Sequence, residues 1–165
     1  MNGYVLAVDQ GTTSSRAIIF DKSGNIVTKA QYPLPQHYPK PGWVEHDPME
    51  ILSTEILAMS EAFERSGLSP TDIAAIGITN QRETTILWEK ATGRPVANAI
   101  VWQCRRTAPI CDRLTADGAA YLVLSRTGLL IDPYFSGTKI RWLLDQDPRL
   151  QARADTGEIL VGNVD

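Results

Sequence analysis

The chain opens with short apolar runs separated by polar turns, a pattern that predicts β-strands. Residues 4–8 (YVLAV) form the first run, which stops at Asp9, and residues 17–20 (AIIF) form the second. Residues 26–32 follow a polar turn and alternate in part between apolar and polar side chains. We therefore expect two or three antiparallel strands at the start, with no helix after the first strand.

A helix is predicted after a proline-rich loop at residues 33–45. Asp47 can cap a helix, and Pro48 suits the first helical position. Apolar residues then recur every three or four positions, and Gly67 predicts the end of the helix.

The rest of the chain mixes strand and helix patterns. Residues 73–79 (IAAIGIT) predict a buried strand, because the run is apolar and unbroken. The other predicted strands lie at residues 84–88, 99–102 and 159–164, and the predicted helices at residues 108–114, 119–125 and 137–144. Together these elements predict an α/β fold, in which a mixed twisted sheet has antiparallel opening strands and helices packed on its faces.

Length, composition and charge exclude a few classes of protein and indicate none in particular. The chain has 165 residues, a length typical of one domain, and a formal net charge of −3. Its Lys and Arg residues are scattered, so we expect no nucleic-acid partner. No apolar run approaches the roughly 20 residues of a membrane span, and the N-terminus lacks the pattern of a signal peptide. Cys104 and Cys111 have neither metal nor redox spacing, which favours reduced thiols in a cytoplasmic protein.

The segment after the first strand, residues 9–16 (DQGTTSSR), has the composition of a phosphate-binding loop. A glycine allows a sharp turn, and the hydroxyl residues that follow can surround phosphate oxygens with donors. The candidate phosphate-binding residues are Thr12, Thr13, Ser14 and Arg16. Asp9 would supply a hard oxygen ligand to Mg²⁺, directly or through water. The alternative is a Gly/Ser/Thr hairpin turn with solvated hydroxyls.

The setting of this loop differs from the common nucleotide-binding motifs. Neither G-x-x-x-x-G-K-[ST] nor G-x-G-x-x-G occurs in the chain. The strand–loop–strand arrangement instead resembles the actin-like ATPase superfamily, in which phosphates sit on hairpin loops of a twisted sheet. That resemblance implies an actin-like, ribonuclease H-like ATPase fold.

Four later segments narrow the resemblance. They are YPKPGWVEHDP at residues 38–48, NQRETT at 80–85, WQCRRT at 102–107 and DPYFSGTK at 132–139. With the phosphate loop, they resemble the glycerol-kinase branch of the FGGY carbohydrate kinase family over residues 4–165. The NQRETT and WQCRRT segments separate this branch from its xylulose- and gluconate-type relatives.

The resemblance implies a polyol site formed by Arg82, Glu83, Trp102 and Tyr134. In the family, the matching Arg, Glu and Tyr hold glycerol, and the Trp packs against its carbons. The chemistry suits a triol, because a guanidinium only donates hydrogen bonds and a carboxylate only accepts them. Taken singly, these residues have ordinary alternatives: a surface ion pair, a core tryptophan and a turn.

The resemblance also implies an activity. It is ATP-dependent phosphorylation of glycerol to sn-glycerol 3-phosphate, with Mg²⁺, by a cytoplasmic enzyme that forms homo-oligomers. Residues 1–165 would be an incomplete N-terminal domain, and the family's general-base Asp, in a G-D-Q segment, would lie beyond this chain. We therefore expect these residues alone to be inactive. The alternatives are a kinase of another small sugar or polyol, a binding module without catalysis, or an actin-like scaffold.

Overall fold

A computed structural model describes residues 3–165 and divides them into two compact units. Unit 1 comprises residues 3–36, 47–81 and 164–165, and unit 2 comprises residues 37–46 and 82–163. Within the described residues, none of the helices has both the length and the apolar character needed to cross a membrane.

Unit 1 is built on a four-stranded mixed sheet. Its strands are β1 (Tyr4–Gln10), β2 (Ser14–Phe20), β3 (Ile26–Pro33) and β5 (Ile73–Asn80), in the order β3-β2-β1-β5. The first three strands pair antiparallel, and β5 runs parallel to β1. The predicted antiparallel opening and mixed sheet are thus confirmed.

Helix α1 (Pro48–Ser66) packs against this sheet and begins and ends as predicted. The Asp47 carboxylate accepts a hydrogen bond from the backbone N–H of Met49 at 2.8 Å. Gly67 ends the helix in the left-handed conformation, at φ 68°. A short 3₁₀ helix at Pro70–Asp72, which the sequence pattern did not predict, leads from α1 into β5.

The apolar residues at helical spacing on α1 are buried only in part. Within unit 1, Leu52 and Ile56 are about half exposed, at 52% and 48%. The residues that bury against the sheet are Pro48, Ile51, Glu55, Ala58 and Ala62. Ala58 and Ala62 are fully buried, and Met59 and Phe63 pack against the same core.

The prediction that residues 73–79 form a buried strand was right about the strand and wrong about its burial. Ile76 is 61% exposed and Ile78 is 63% exposed. The reason lies in the packing, because α1, the helix that lies against this sheet, packs against β1, β2 and β3. An apolar run predicts what a strand can bury, but neighbouring elements decide what it does bury.

Unit 2 contains two small antiparallel sheets and four helices. Strand β4 (Glu45–His46) pairs with β7 (Ala99–Ile100), and β6 (Ile86–Glu89) pairs with β8 (Ile159–Gly162). The helices are α2 (Ala108–Ala116), α3 (Ala120–Thr127), α4 (Ser136–Asp145) and α5 (Pro148–Asp155). Helices α2, α3 and α4 were predicted, whereas β4 and α5 were not.

Unit 2 has its own core, which includes a buried cation. The hydrophobic cluster contains Leu87, Ile100 and Leu143. The guanidinium of Arg106 lies 3.9 Å from the ring centroid of Trp43. It also forms an ion pair with the carboxylate of Glu45 at 2.7 Å. Each buried charge thus has a partner of opposite sign, without which its burial would be costly.

Candidate functional site

The predicted phosphate loop is the tight connection between β1 and β2 in unit 1. The backbone N–H of Gly11 donates to the carbonyl of Ser14 at 2.9 Å, which closes the turn. A Cβ atom at position 11 would approach that carbonyl to 3.1 Å. A side chain at this position would require the backbone of the turn to shift by a few tenths of an ångström, so the tight turn favours glycine.

Buried polar side chains hold the base of the loop. Gln10 is 3% exposed, and its side chain donates to the carbonyl of Gly11 at 3.1 Å and accepts from the hydroxyl of Ser15 at 2.8 Å. The Ser15 hydroxyl also lies 2.7 Å from that of Thr54 on α1. Because each of these buried groups has partners, the network fixes the loop to the sheet and the helix.

The charged residues of the loop face each other across the first two strands. Asp9 and Arg16 are paired in the β1–β2 register, and their side chains form an ion pair at 3.3 Å. Both side chains are about one third exposed, so the pair can open toward a ligand at small cost. The hydroxyl residues between them differ in exposure: Thr13 is exposed, and Thr12 and Ser14 are partly buried. The Ser14 hydroxyl accepts a hydrogen bond from Gln31 at 2.9 Å.

The predicted polyol residues lie in unit 2, where three of the four are joined by direct or shared contacts. The rings of Trp102 and Tyr134 meet edge to face, with centroids 6.0 Å apart. The backbone carbonyls of Tyr134 and Glu83 accept hydrogen bonds from one ammonium group, that of Lys139, at 2.6 Å and 2.7 Å. Arg82 precedes Glu83 in the chain, and its side chain is exposed.

Glu83 has an unusual backbone conformation and a fixed side chain. Among the described residues it alone, apart from glycines, has a positive φ, at 66°. One carboxylate oxygen, Oε2, accepts from the backbone N–H and the hydroxyl of Ser136, at 2.8 Å and 2.6 Å. These donors begin helix α4, so Glu83 acts as a cap supplied from a distant part of the chain.

The aromatic side of the site is fixed by neighbouring residues. The Thr84 hydroxyl accepts from the backbone N–H of Trp102 at 3.3 Å. Asp132 accepts from the backbone N–H of Tyr134 at 2.7 Å and pairs with Arg105 at 3.3 Å. The carboxylate of Glu83 and the rings of Trp102 and Tyr134 are thus held by hydrogen bonds and ring contacts, and these groups can bind a small molecule that has both hydroxyl groups and carbon surface.

Ser136 and Lys139 also hold the site residues in place, although the sequence pattern did not predict this role. Both lie in the DPYFSGTK segment, whose Ser136 begins α4. Their shared partner, Glu83, is 53 and 56 positions away in the chain, so no local pattern reveals the contact. The available signal was a lysine four residues before Leu143, on the stripe of α4 that is buried.

The chain is similar to known carbohydrate kinases. A family model described as the FGGY family of carbohydrate kinases, N-terminal domain, matches residues 4–163. Glycerol kinase 2 of Thermotoga maritima is 60% identical over 162 residues, which cover 98% of this chain and 33% of that protein. A glycerol kinase of a Shewanella species is 59% identical over the same length and the same shares. The chain thus spans about a third of the length of the curated relatives it matches.

Solved structures show the same likeness. The crystal structure of Plasmodium falciparum glycerol kinase with ADP matches with a TM-score of 0.91 at 34% identity, over 99% of this chain and 33% of that one. Xylulose kinase from Rhodospirillum rubrum matches with a TM-score of 0.83 at 24% identity, over 98% and 32%, which shows a shared fold alone. The resemblance found in the sequence and the predicted fold class are confirmed. Because the family model matches nearly the whole chain, the chain belongs to the FGGY family of carbohydrate kinases, in the part that forms their N-terminal domain.

Proposed function

We propose that the protein containing this chain transfers the γ-phosphate of ATP to glycerol, giving sn-glycerol 3-phosphate and ADP. The observation on which this rests is the grouping of Glu83, Trp102 and Tyr134 in a chain 60% identical to a protein named glycerol kinase. We place residues 1–165 in the N-terminal domain of this enzyme, and we propose that the enzyme is cytoplasmic and homo-oligomeric.

Four side chains of the polyol site contact different parts of the substrate. Ser136 holds Oε2 of Glu83, which directs the other carboxylate oxygen to accept a hydrogen bond from a substrate hydroxyl. Arg82 donates to a hydroxyl oxygen, and Tyr134 adds its phenol. Trp102 packs against the carbon atoms, where a flat apolar surface excludes water.

The phosphate loop binds the nucleotide. Thr12, Thr13 and Ser14 offer hydroxyl and backbone donors to phosphate oxygens, and Arg16 offers a charge that the ion pair with Asp9 holds in place. When ATP binds with Mg²⁺, Asp9 is the residue that suits the metal. No group of three or more His, Cys, Asp or Glu side chains capable of holding a metal occurs among residues 3–165, so phosphate oxygens and water would complete the shell. The metal would neutralise charge on the phosphates.

The proton acceptor is not assigned to any residue of this chain. Family resemblance places it in a G-D-Q segment, which the sequence does not contain. Positioning and charge stabilisation account for most of the catalysis of phosphoryl transfer, so the residues above supply binding and orientation.

A coupled assay of ADP release by the full-length protein tests the proposal. We expect turnover with glycerol that exceeds turnover with xylulose or gluconate. Glu83→Ala is expected to lower kcat/KM for glycerol about ten- to a hundred-fold, the loss of one charged hydrogen-bond partner, with little change in KM for ATP. Glu83→Gln keeps the size of the side chain and separates loss of charge from loss of packing. Glu64→Ala is the matched control, since this glutamate is exposed on α1.

Three outcomes would contradict the assignment. An unchanged kcat/KM in Glu83→Ala would remove Glu83 from the site. Preference for another sugar would favour a different kinase of the family. Binding of glycerol without ADP release, measured by calorimetry in the presence of ATP and Mg²⁺, would favour a module without catalysis.

A further inference from the structure

A lysine is completely buried beneath the candidate polyol site. Lys139 lies in the first turns of α4, has an exposed fraction of 0%, and is among the largest fully buried side chains of the chain. Burying an ammonium group is costly unless hydrogen bonds replace its water. The contacts of the buried Lys139 ammonium group therefore indicate what it does in the fold.

Those contacts go to the backbone of two site residues. The ammonium nitrogen donates to the carbonyl of Glu83 at 2.7 Å and to that of Tyr134 at 2.6 Å. It also lies 5.9 Å from the centroid of the Tyr134 ring. One cation therefore joins two chain segments that are far apart in sequence and that both carry predicted polyol ligands.

The contact with Glu83 has a particular consequence, because the backbone there is strained. A positive φ of 66° is unfavourable for a residue with a side chain, and it persists only when surrounding contacts impose it. Lys139 holds the carbonyl of Glu83, and Ser136 holds its carboxylate through two hydrogen bonds. The first turn of α4 thereby holds both the backbone carbonyl and the side-chain carboxylate of Glu83.

Electrostatics fit the same arrangement. Burial lowers the pKa of Lys139 to about 8, and the nearby carboxylate of Glu83 offsets part of that decrease. The carboxylate thus stabilises the cation through space, while the direct hydrogen bonds of the cation go to carbonyl oxygens.

We propose that Lys139 is a positioning residue of the polyol site, which orients Glu83 and Tyr134 through their backbone carbonyls. Ser136 assists by holding the carboxylate of Glu83. The proposal rests on the proposed function. Lys139 is enclosed by protein and does not touch the substrate, so its effect on binding passes through the two residues it holds.

Kinetics of the full-length enzyme with a neutral, unbranched replacement test this. Lys139→Met is expected to raise KM for glycerol about ten- to a hundred-fold, as expected for loss of the hydrogen bonds of one charged group, and to change KM for ATP less than about twofold. Leu143→Ala is the matched control: this residue is buried one turn later on the same helix, at 3% exposure. It should lower thermal stability and leave KM for glycerol unchanged. An equal KM for glycerol in Lys139→Met and wild type would overturn the proposal.

A second variant covers the case in which Lys139→Met does not fold. Ser136→Ala removes one hydrogen bond to Oε2 of Glu83 and leaves the backbone N–H in place. We expect it to raise KM for glycerol about three- to tenfold, as loss of one hydrogen bond predicts. In a Glu83→Ala background the same substitution should have no further effect on this KM, because its action passes through Glu83.

The outcomes separate the two proposals. If the wild-type enzyme does not phosphorylate glycerol, the proposed function fails, and the positioning role fails with it. If the wild type is active but Ser136→Ala has the same effect on KM with and without Glu83, only the positioning role is wrong. The positioning role is supported if Lys139→Met and Ser136→Ala each raise KM for glycerol selectively, and if Ser136→Ala has no further effect in the Glu83→Ala background.

Discussion

Replacing Glu55 with glutamine should remove a pH-dependent loss of stability that the packing of unit 1 creates. Glu55 lies on the sheet-facing side of α1 and is 8% exposed. Burial raises its pKa from 4.5 to about 7, and the nearby carboxylate of Asp9 adds to the increase. The backbone N–H of Arg16 offsets a little of this, although neither carboxylate oxygen has a hydrogen-bond partner of normal geometry among the described residues.

The direction of the effect follows from proton binding. Between pH 4.5 and about 7 the folded protein holds a proton on Glu55 that the unfolded chain has lost, because the pKa of Glu55 is higher in the folded state. The free energy of unfolding therefore falls as pH rises through this window. One pH unit of pKa change is worth about 1.4 kcal/mol, so the full rise corresponds to about 3 kcal/mol.

Glutamine has nearly the same shape as glutamate and does not titrate. Glu55→Gln should match wild type near pH 4.5 and exceed its stability by up to about 3 kcal/mol above pH 7. Urea unfolding at pH 5 and pH 8.5 gives the two differences, and subtracting them cancels the titration of all other groups. Glu64→Gln is the control, because Glu64 is exposed on the same helix.

The reasoning would be refuted by parallel pH profiles. If Glu55→Gln and wild type lose equal stability between pH 5 and pH 8.5, the carboxyl group does not hold its proton in the folded state. A variant less stable than wild type at pH 8.5 would show instead that the carboxylate makes favourable interactions at this position.

Two further substitutions test the packing of unit 2 and the start of α1. Arg106→Met is expected to lower the free energy of unfolding by about 3 kcal/mol, because it removes the cationic partner of the largely buried Glu45 carboxylate, to which Asn98 would still donate. Urea unfolding measures this against Arg105→Met, which removes an exposed ion pair, and equal losses would contradict it. Asp47→Ala is expected to cost about 1 kcal/mol through loss of the helix cap, whereas Asp47→Asn should retain most of the stability, and thermal unfolding of the two variants checks the difference.

The sequence predicted those parts of the fold that depend on neighbouring residues in the chain. The turn between β1 and β2, the cap at Asp47 and the left-handed Gly67 are local features, and each lies where its residues indicated. Helix α5 was missed because its sequence, PRLQARAD, has too few apolar residues to show a period. Strand β4 has two residues, which is too short for any alternation.

Burial was harder to predict than secondary structure, because it depends on what packs against each face. Leu52 and Ile56 repeat at helical spacing, yet Ile51 and Glu55 beside them are buried while they are about half exposed. The apolar run of β5 predicted a buried strand, but α1 packs against β1, β2 and β3, and Ile76 and Ile78 are exposed. Periodicity identifies an element, whereas its contacts are a property of the whole unit.

In the candidate site, too, the residues could be proposed from the sequence, whereas their contacts could not. Glu83, Trp102 and Tyr134 were proposed from resemblance, and the roles of these side chains stay predictions until they are tested. Their closeness within unit 2 could not be derived from spacing, since the contacts that join them span tens of residues. Non-local contacts of this kind are set by topology, which a single sequence does not reveal.

The position of Lys139 in the sequence nevertheless carries a signal of its role. It lies one helical turn before Leu143, and both side chains are buried on one face of α4. A charged residue on the apolar stripe of a helix is expensive to bury, so its presence indicates acceptors on whatever that stripe packs against. Here the acceptors are the carbonyls of two candidate ligand residues. A cation that interrupts an apolar stripe close to a predicted site is therefore a reason to look for its partners among the residues of that site.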